Sequence, residues 1–195
     1  MIPRKKIDAV VIGASTGGPK ALNTIIPNLP SDLGMPVFVV QHMPVGMTKD
    51  FANRLNLNSK IKVVEAKDFE VIEKNTVYIA PGGYHMEVEN DNRIHLNSDP
   101  AIWGVRPAAD KLFISASNVY KGKLLGIVLT GMGRDGAEGI VKIKENGGIT
   151  LSQDKDSCTI YGMPKAAFET GKVDKVIPLA SVVDEIINIC SSTGR

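Results

Sequence analysis

Ile7-Asp8-Ala9-Val10-Val11-Ile12-Gly13-Ala14-Ser15-Thr16-Gly17-Gly18 is the stretch on which the fold of this chain turns. Its apolar part, Ala9 to Ile12, is short, largely β-branched and bounded by glycine, and it reads as a buried strand. Gly13 to Gly18 breaks it abruptly. Pro19, suited to the first turn of a helix, then leads into Lys20-Ala21-Leu22. Ser15 therefore stands on a tight strand-to-helix turn at the carboxyl end of a strand. Gly13, Ser15 and Gly17 also make a G-x-S-x-G pattern, which can hold a nucleophilic serine proud of a sheet. Glycine-rich turns of this kind also cradle phosphates, or simply let a helix pack closely on a sheet. Taken alone, the turn leaves catalysis, nucleotide binding and a structural role open.

The same alternation continues outward. Pro36 to Val40 reads as a second buried strand running into Gln41-His42-Met43-Pro44, and Thr48 is placed to cap the helix that follows. Ile61 to Val64 and Thr76 to Ala80 are further strands, the latter broken by Pro81-Gly82-Gly83. Tyr84 to Val88 and Arg93 to Leu96, separated by the polar turn Glu89-Asn90-Asp91-Asn92, predict an antiparallel hairpin. Arg106 to Tyr120 carries one apolar stripe at helical spacing. Leu124 to Leu129 is the most apolar strand and ends in a second glycine-rich turn, Thr130 to Gly136, ahead of a helix at Ala137 to Glu145. Gly148 to Ser152 and Val173 to Ile177 are short strands, and a last amphipathic helix runs from about Leu179 to Cys190.

Strands alternating with helices, several of them continuously apolar, predict an α/β fold: a doubly wound, mostly parallel sheet with helices on both faces and the hairpin near 84–96. No repeat, low-complexity segment or linker-like break interrupts it. The expected organisation is a linker or tail at 1–6, one domain at 7–190 and a frayed tail at 191–195.

Bulk properties narrow the function. The chain has 195 residues, 43% hydrophobic and 23% charged, enough for one substantial core. A formal charge of +2 with 5% aromatics is a poor match to nucleic acid as partner. No apolar run reaches the ~18 residues of a membrane span, and no signal-peptide profile opens the chain. Two cysteines, Cys158 and Cys190, are too few for a disulfide framework or a cysteine zinc site, and the expected setting is the reduced cytoplasm.

In a parallel sheet the chemistry sits beyond the carboxyl ends of the strands. Ser15, His42 and the Gly131 to Gly136 loop stand at three such ends, and Pro81 to His85 at a fourth. Serine hydrolysis needs a base, a group that orients the base and donors for an oxyanion. His42 is the best base, Asp135 the best orienting acid, and the amides near Thr16 and Met132 lie on turns able to supply donors. The simpler readings are a solvent-facing His42 and an Asp135 that merely caps the helix after it. His95 reads as a surface strand residue, and His85 can line the site without acting in it. Cys158 has no adjacent base in sequence and is the poorer nucleophile. A dinucleotide site needs a second glycine where Ser15 stands and an acid where Gln41-His42 stands, and the lysine of a P-loop is missing. The order Ser15, His42, Asp135 also differs from that of α/β-hydrolases. A non-catalytic module holding phosphate at the helix starts behind Gly18 and Gly136 is the alternative.

With these residues assembled, the chain resembles the catalytic domain of the CheB-type chemotaxis protein-glutamate methylesterase family. The resemblance rests on Gly13 to Gly18, Val40 to Pro44, Ala80 to His85, Arg106 to Asp110 and Leu129 to Ala137. Leu151 to Asp154 and Tyr161 to Pro164 complete it, in family order across nearly the whole chain. It implies a cofactor-free serine hydrolase that removes methyl esters from glutamate side chains of chemoreceptors through an acyl-serine intermediate, with a related glutamine deamidation. It implies Ser15 as nucleophile, His42 as base, Asp135 as orienting acid, Thr16 and Met132 as supporting groups around the oxyanion, and no metal. The implied partners are methylated chemoreceptor cytoplasmic helices, with neither nucleic acid nor membrane insertion. Family members usually begin with a phosphorylatable receiver domain. Here only a few residues precede the first strand, so the chain reads as either a naturally short member or an excised catalytic half, and Arg4-Lys5-Lys6, which resembles the end of a linker, favours excision.

Overall fold

The structure, a computed structural model, describes residues 5–190; the expected tail at 1–6 lies partly, and that at 191–195 wholly, outside the described residues. In chain order the first half holds β1 (Ala9–Ala14), α1 (Gly18–Ile25), β2 (Val37–Gln41), α2 (Met47–Asn58), β3 (Lys62–Glu65), β4 (Thr76–Ile79), β5 (His85–Val88) and β6 (Ile94–Asn97). The second half holds α3 (Ala109–Tyr120), β7 (Leu124–Val128), α4 (Ala137–Glu145), β8 (Ile149–Gln153), α5 (Met163–Glu169), β9 (Lys175–Ile177) and α6 (Val182–Cys190).

Seven strands form one parallel sheet in the order β3-β4-β2-β1-β7-β8-β9, and β5 pairs antiparallel with β6 apart from it. Every residue of β1, β2 and β7 is buried, as expected of parallel strands covered on both faces. Val10, Ile12 and Ala14 of β1 join one core layer with α1, α2 and α6. Ala9 and Val11 join the opposite layer with α3, α4, α5 and the hairpin. Period-two alternation thus survives inside a strand that looks uniformly apolar. The chain winds outward from β1 to β2, then returns to β7 on the other side of β1. The helices that follow β1 and β7, α1 and α4, therefore cover opposite faces of the sheet, which makes the β1–β7 boundary its topological switch point.

Several local details depart from the sequence reading. The helix expected from Arg106 starts at Ala109, because Ala108 is extended and gives its amide to His85 Nδ1 at 3.2 Å. Thr48 does not cap α2, whose N-cap is Gly46. Its hydroxyl instead donates to Glu65 Oε2 at 2.6 Å and accepts from Gly82 N at 2.9 Å, tying α2 to β3 and to the loop after β4. The last helix is preceded by a separate 3₁₀ turn, Leu179–Ser181. The seven-residue α5 has no counterpart in the sequence reading; it is too short to show a helical period.

Candidate active site

The sequence-predicted residues come from three adjacent strands, β2, β1 and β7. The parallel register sets Ala14 opposite Gln41, so Ser15 and His42 are the next residues out on each side. His42 N donates to Ala14 O at 3.0 Å, carrying the ladder to the edge of the site. On the other flank Ser15 N donates to Thr130 O at 3.0 Å, and Gly18 N closes the turn on Ser15 O at 2.8 Å. The loop after β7 passes so close that a Cβ at Gly131 would stand 2.7 Å from Ser15 Cβ, which only glycine allows. Among the described residues the Ser15 hydroxyl has no hydrogen-bond partner.

Asp135 and His42 meet directly. His42 Nε2 lies 2.7 Å from Asp135 Oδ2, with the His42 side chain 11% and the Asp135 side chain 2% exposed. An ionised carboxylate only accepts, so Nε2 carries the proton toward it and Nδ1 of the neutral ring is an acceptor. The same carboxylate accepts the first amides of α3: Ala109 N at 2.6 Å on Oδ2 and Asp110 N at 2.9 Å on Oδ1. Asp135 does cap a helix, then, but α3 and not the α4 that follows it. The positive end of α3 favours the carboxylate where His42 needs it.

Asp110 completes a second layer that the sequence reading passed over. Its Oδ1 accepts Gly139 N of α4 at 2.7 Å and its Oδ2 accepts Trp103 Nε1 at 2.9 Å. Burial, with the neighbouring Asp135 charge adding to it, pushes this carboxyl up to about 6 against those hydrogen bonds. Arg134 stacks on the Trp103 ring, its guanidinium carbon 4.5 Å from the centroid. Only residue type and spacing could have hinted at this cluster, and Trp103 stands in a stretch with no helical or strand period.

Thr16 is exposed, Met132 is 70% exposed, and among the described residues neither backbone amide donates to a protein acceptor. Thr16 stands in the turn of Ser15, and Met132 follows Gly131, the residue of the β7 loop that passes closest to Ser15. Thr130, which is buried, ties the β7 loop to the Ser15 turn. Its hydroxyl donates to Thr16 O at 2.9 Å and accepts Ile160 N at 3.0 Å, while its amide donates to Gln153 Oε1 at 2.8 Å. A cavity of about 270 Å³ opens beside His42, walled by Met43, Pro44, Val105, Arg106 and Pro107.

The remaining candidates separate cleanly. His85 is fully buried, donates from Nε2 to Pro100 O at 3.1 Å and accepts Ala108 N on Nδ1, so both nitrogens serve the start of α3. His95 pairs with Asp91 at 2.9 Å on the hairpin. Burial pushes the Cys158 thiol up to about 11, which leaves it protonated and unreactive at neutral pH.

Comparison with known proteins adds a second line. A family model described as CheB methylesterase matches residues 10–186. A protein-glutamate methylesterase/protein-glutamine glutaminase of Clostridium acetobutylicum is 62% identical over 194 residues, covering 100% of this chain and 56% of that protein. One of Pyrococcus horikoshii is 52% identical over 182 residues, covering 92% of this chain and 50% of that protein. The chain thus spans about half the length of these curated relatives. The crystal structure of a Thermotoga maritima CheB methylesterase catalytic domain superposes with a TM-score of 0.91 at 41% identity, covering 95% of this chain and 100% of that one.

Proposed function

The chain belongs to the CheB methylesterase family, and from that premise we propose that it hydrolyses methyl esters of glutamate side chains on chemoreceptors, with a related deamidation of glutamines. Ser15 Oγ attacks the ester carbonyl carbon while its proton passes to His42 Nδ1. Asp135 holds the ring by Nε2 and balances the imidazolium that forms. The amides of Thr16 and Met132 donate to the oxygen that becomes negative. Collapse of the tetrahedral species returns the His42 proton to the methoxy oxygen, releasing methanol and leaving an acyl-serine. Water, deprotonated by His42, then attacks the acyl carbon and frees the glutamate carboxylate and Ser15. With a glutamine side chain the same steps release ammonia in place of methanol.

The observation that carries this reading is the 2.7 Å contact between His42 and a buried Asp135, with Ser15 one residue beyond the register pair beside it. A buried carboxylate suits a base-orienting role and repels phosphate, so it favours hydrolysis over a phosphate cradle. Val45, Tyr84, Trp103, Met132 and Ile160 are exposed on loops at the same pole, an apolar rim on which an amphipathic receptor helix can lie. A receiver domain of the kind the family carries is the proposed regulator, and the cytoplasm the proposed setting. Among the described residues no helix is long and apolar enough to cross a membrane.

Methanol release from methylated receptor membranes tests the proposal. Ser15→Ala is expected to lose ~10⁴–10⁶-fold in turnover, as triad nucleophiles do. Release near the wild-type rate would sink it.

A further inference from the structure

Between nucleophile and base the sheet ladder runs out. His42 N to Ala14 O is its last rung, and beyond it Ser15 and His42 belong to separate loops. The side chain of Gln41, 2% exposed, spans the gap. Its Nε2 donates to Ser15 O at 3.0 Å and to His42 O at 3.1 Å, so both hydrogens of one NH₂ group are used, one on each loop. The reverse amide orientation would set an oxygen against two carbonyl oxygens, so these acceptors fix which end is which. Oε1 points away and is enclosed without a hydrogen-bond partner. It lies against the head of α1, where a Cβ on Gly18 would stand only 1.9 Å from it. The positive end of α1 partly offsets that unmet acceptor. Stability alone would favour an apolar side chain here, as at Val39 and Val40 just before it. A buried amide with one end unsatisfied points to a role beyond packing.

We propose that Gln41 is a positioning residue for the hydrolysis. It touches neither the ester nor the reacting atoms, and acts by holding the Ser15 and His42 carbonyls in one frame. The inference rests on the hydrolase reading above. Without the two donors, the tie that spans the Ser15 and His42 carbonyls is lost, and each loop is held only by its own remaining bonds.

Gln41→Met keeps the volume and removes both donors. Misplacement of reacting groups by ~1 Å costs up to ~10²-fold. Gln41→Met should therefore lower kcat for methanol release by about 10- to 100-fold with KM within about two-fold, and slow fluorophosphonate labelling of Ser15 by the same factor. Its circular dichroism and thermal melt should stay those of a folded protein. A folded Gln41→Met with wild-type kcat overturns the proposal while leaving the hydrolase reading intact. A wild-type protein that neither releases methanol nor takes the label overturns both. Should Gln41→Met fail to fold, Gln41→Glu reads the same bond by pH. Its protonated carboxyl can donate to one carbonyl and its ionised form to none, so its activity relative to wild type should rise as pH is lowered. A flat ratio counts against the proposal.

Discussion

Asp110 and Asp135 exchange caps. Asp135 accepts the amides of Ala109 and Asp110 at the head of α3, and Asp110 accepts the amide of Gly139 in the first turn of α4, the helix that Asp135 precedes. Two buried acids thus lock two helices to one another, and one of them also aims His42. Structure and chemistry share a side chain, and they should fail together.

Substitution separates Asp135 from Ser15. Asp135→Asn keeps the shape but must turn an NH₂ toward one of its three donors. It should lose ~10⁴-fold in turnover, as triad acids do. Weakening the α3 cap by about 1 kcal/mol should also lower the melting temperature by about 2–4 °C. Ser15→Ala, whose hydroxyl bonds to nothing among the described residues, should lose activity with no change in melting. Calorimetry beside the methanol assay checks both, and equal melting temperatures would show that the cap is dispensable.

Stability should carry the signature of Asp110. Its folded carboxyl lies at about 6 against an ordinary 3.8, so between those values the folded protein binds more protons than the unfolded chain. The contribution is therefore fully present below 3.8 and is lost as pH rises through about 6. The urea midpoint of wild type minus that of Asp110→Asn should therefore fall as pH rises across this range. Parallel curves would mean that Asp110 has no such role.

Activity should fall on acidification. Protonation of His42 fills Nδ1, the nitrogen that must take the Ser15 proton, while Nε2 remains committed to Asp135. Initial rates of methanol release measured on protein that stays folded should drop on the acid side, and a flat profile would argue against His42 as base.

Thiol reagents should leave the proposed methanol release intact. With its thiol pushed up to about 11, Cys158 holds almost no thiolate at neutral pH. Iodoacetamide at neutral pH and Cys158→Ser should both leave methanol release within about two-fold of wild type. Inactivation by the reagent that Cys158→Ser prevents would place a reactive thiol beside the site.

The meeting of His42 and Asp135 was legible because each stands on a loop that follows an apolar run, and strand ends are where parallel sheets gather chemistry. The alternation of runs also announced the sheet and its hairpin. The partner of Asp135 was not legible: the simpler reading gave it α4, next in sequence, whereas its amides come from α3, 26 positions earlier. Thr48 misled for the same reason, since its hydroxyl serves Glu65 and Gly82 across space instead of the adjacent helix. Local patterns register neighbours along the chain, and these bonds join residues that only the sheet order brings together. The short α5 and the stretch around Trp103 carry too few residues in any period to be read at all.

The position of β7 beside β1 has a consequence for how the molecule comes to life. His42 and Asp135 are 93 residues apart, and their contact waits on a parallel crossover that joins distant parts of the chain. Pairings of such long range form late and slowly. Until β7 and the loop after it are in place, His42 lacks Asp135 and the Ser15 amide lacks its acceptor, Thr130 O. Labelling of Ser15 by an active-site reagent would then time the closing of the sheet's centre, a readout of folding built into the proposed site.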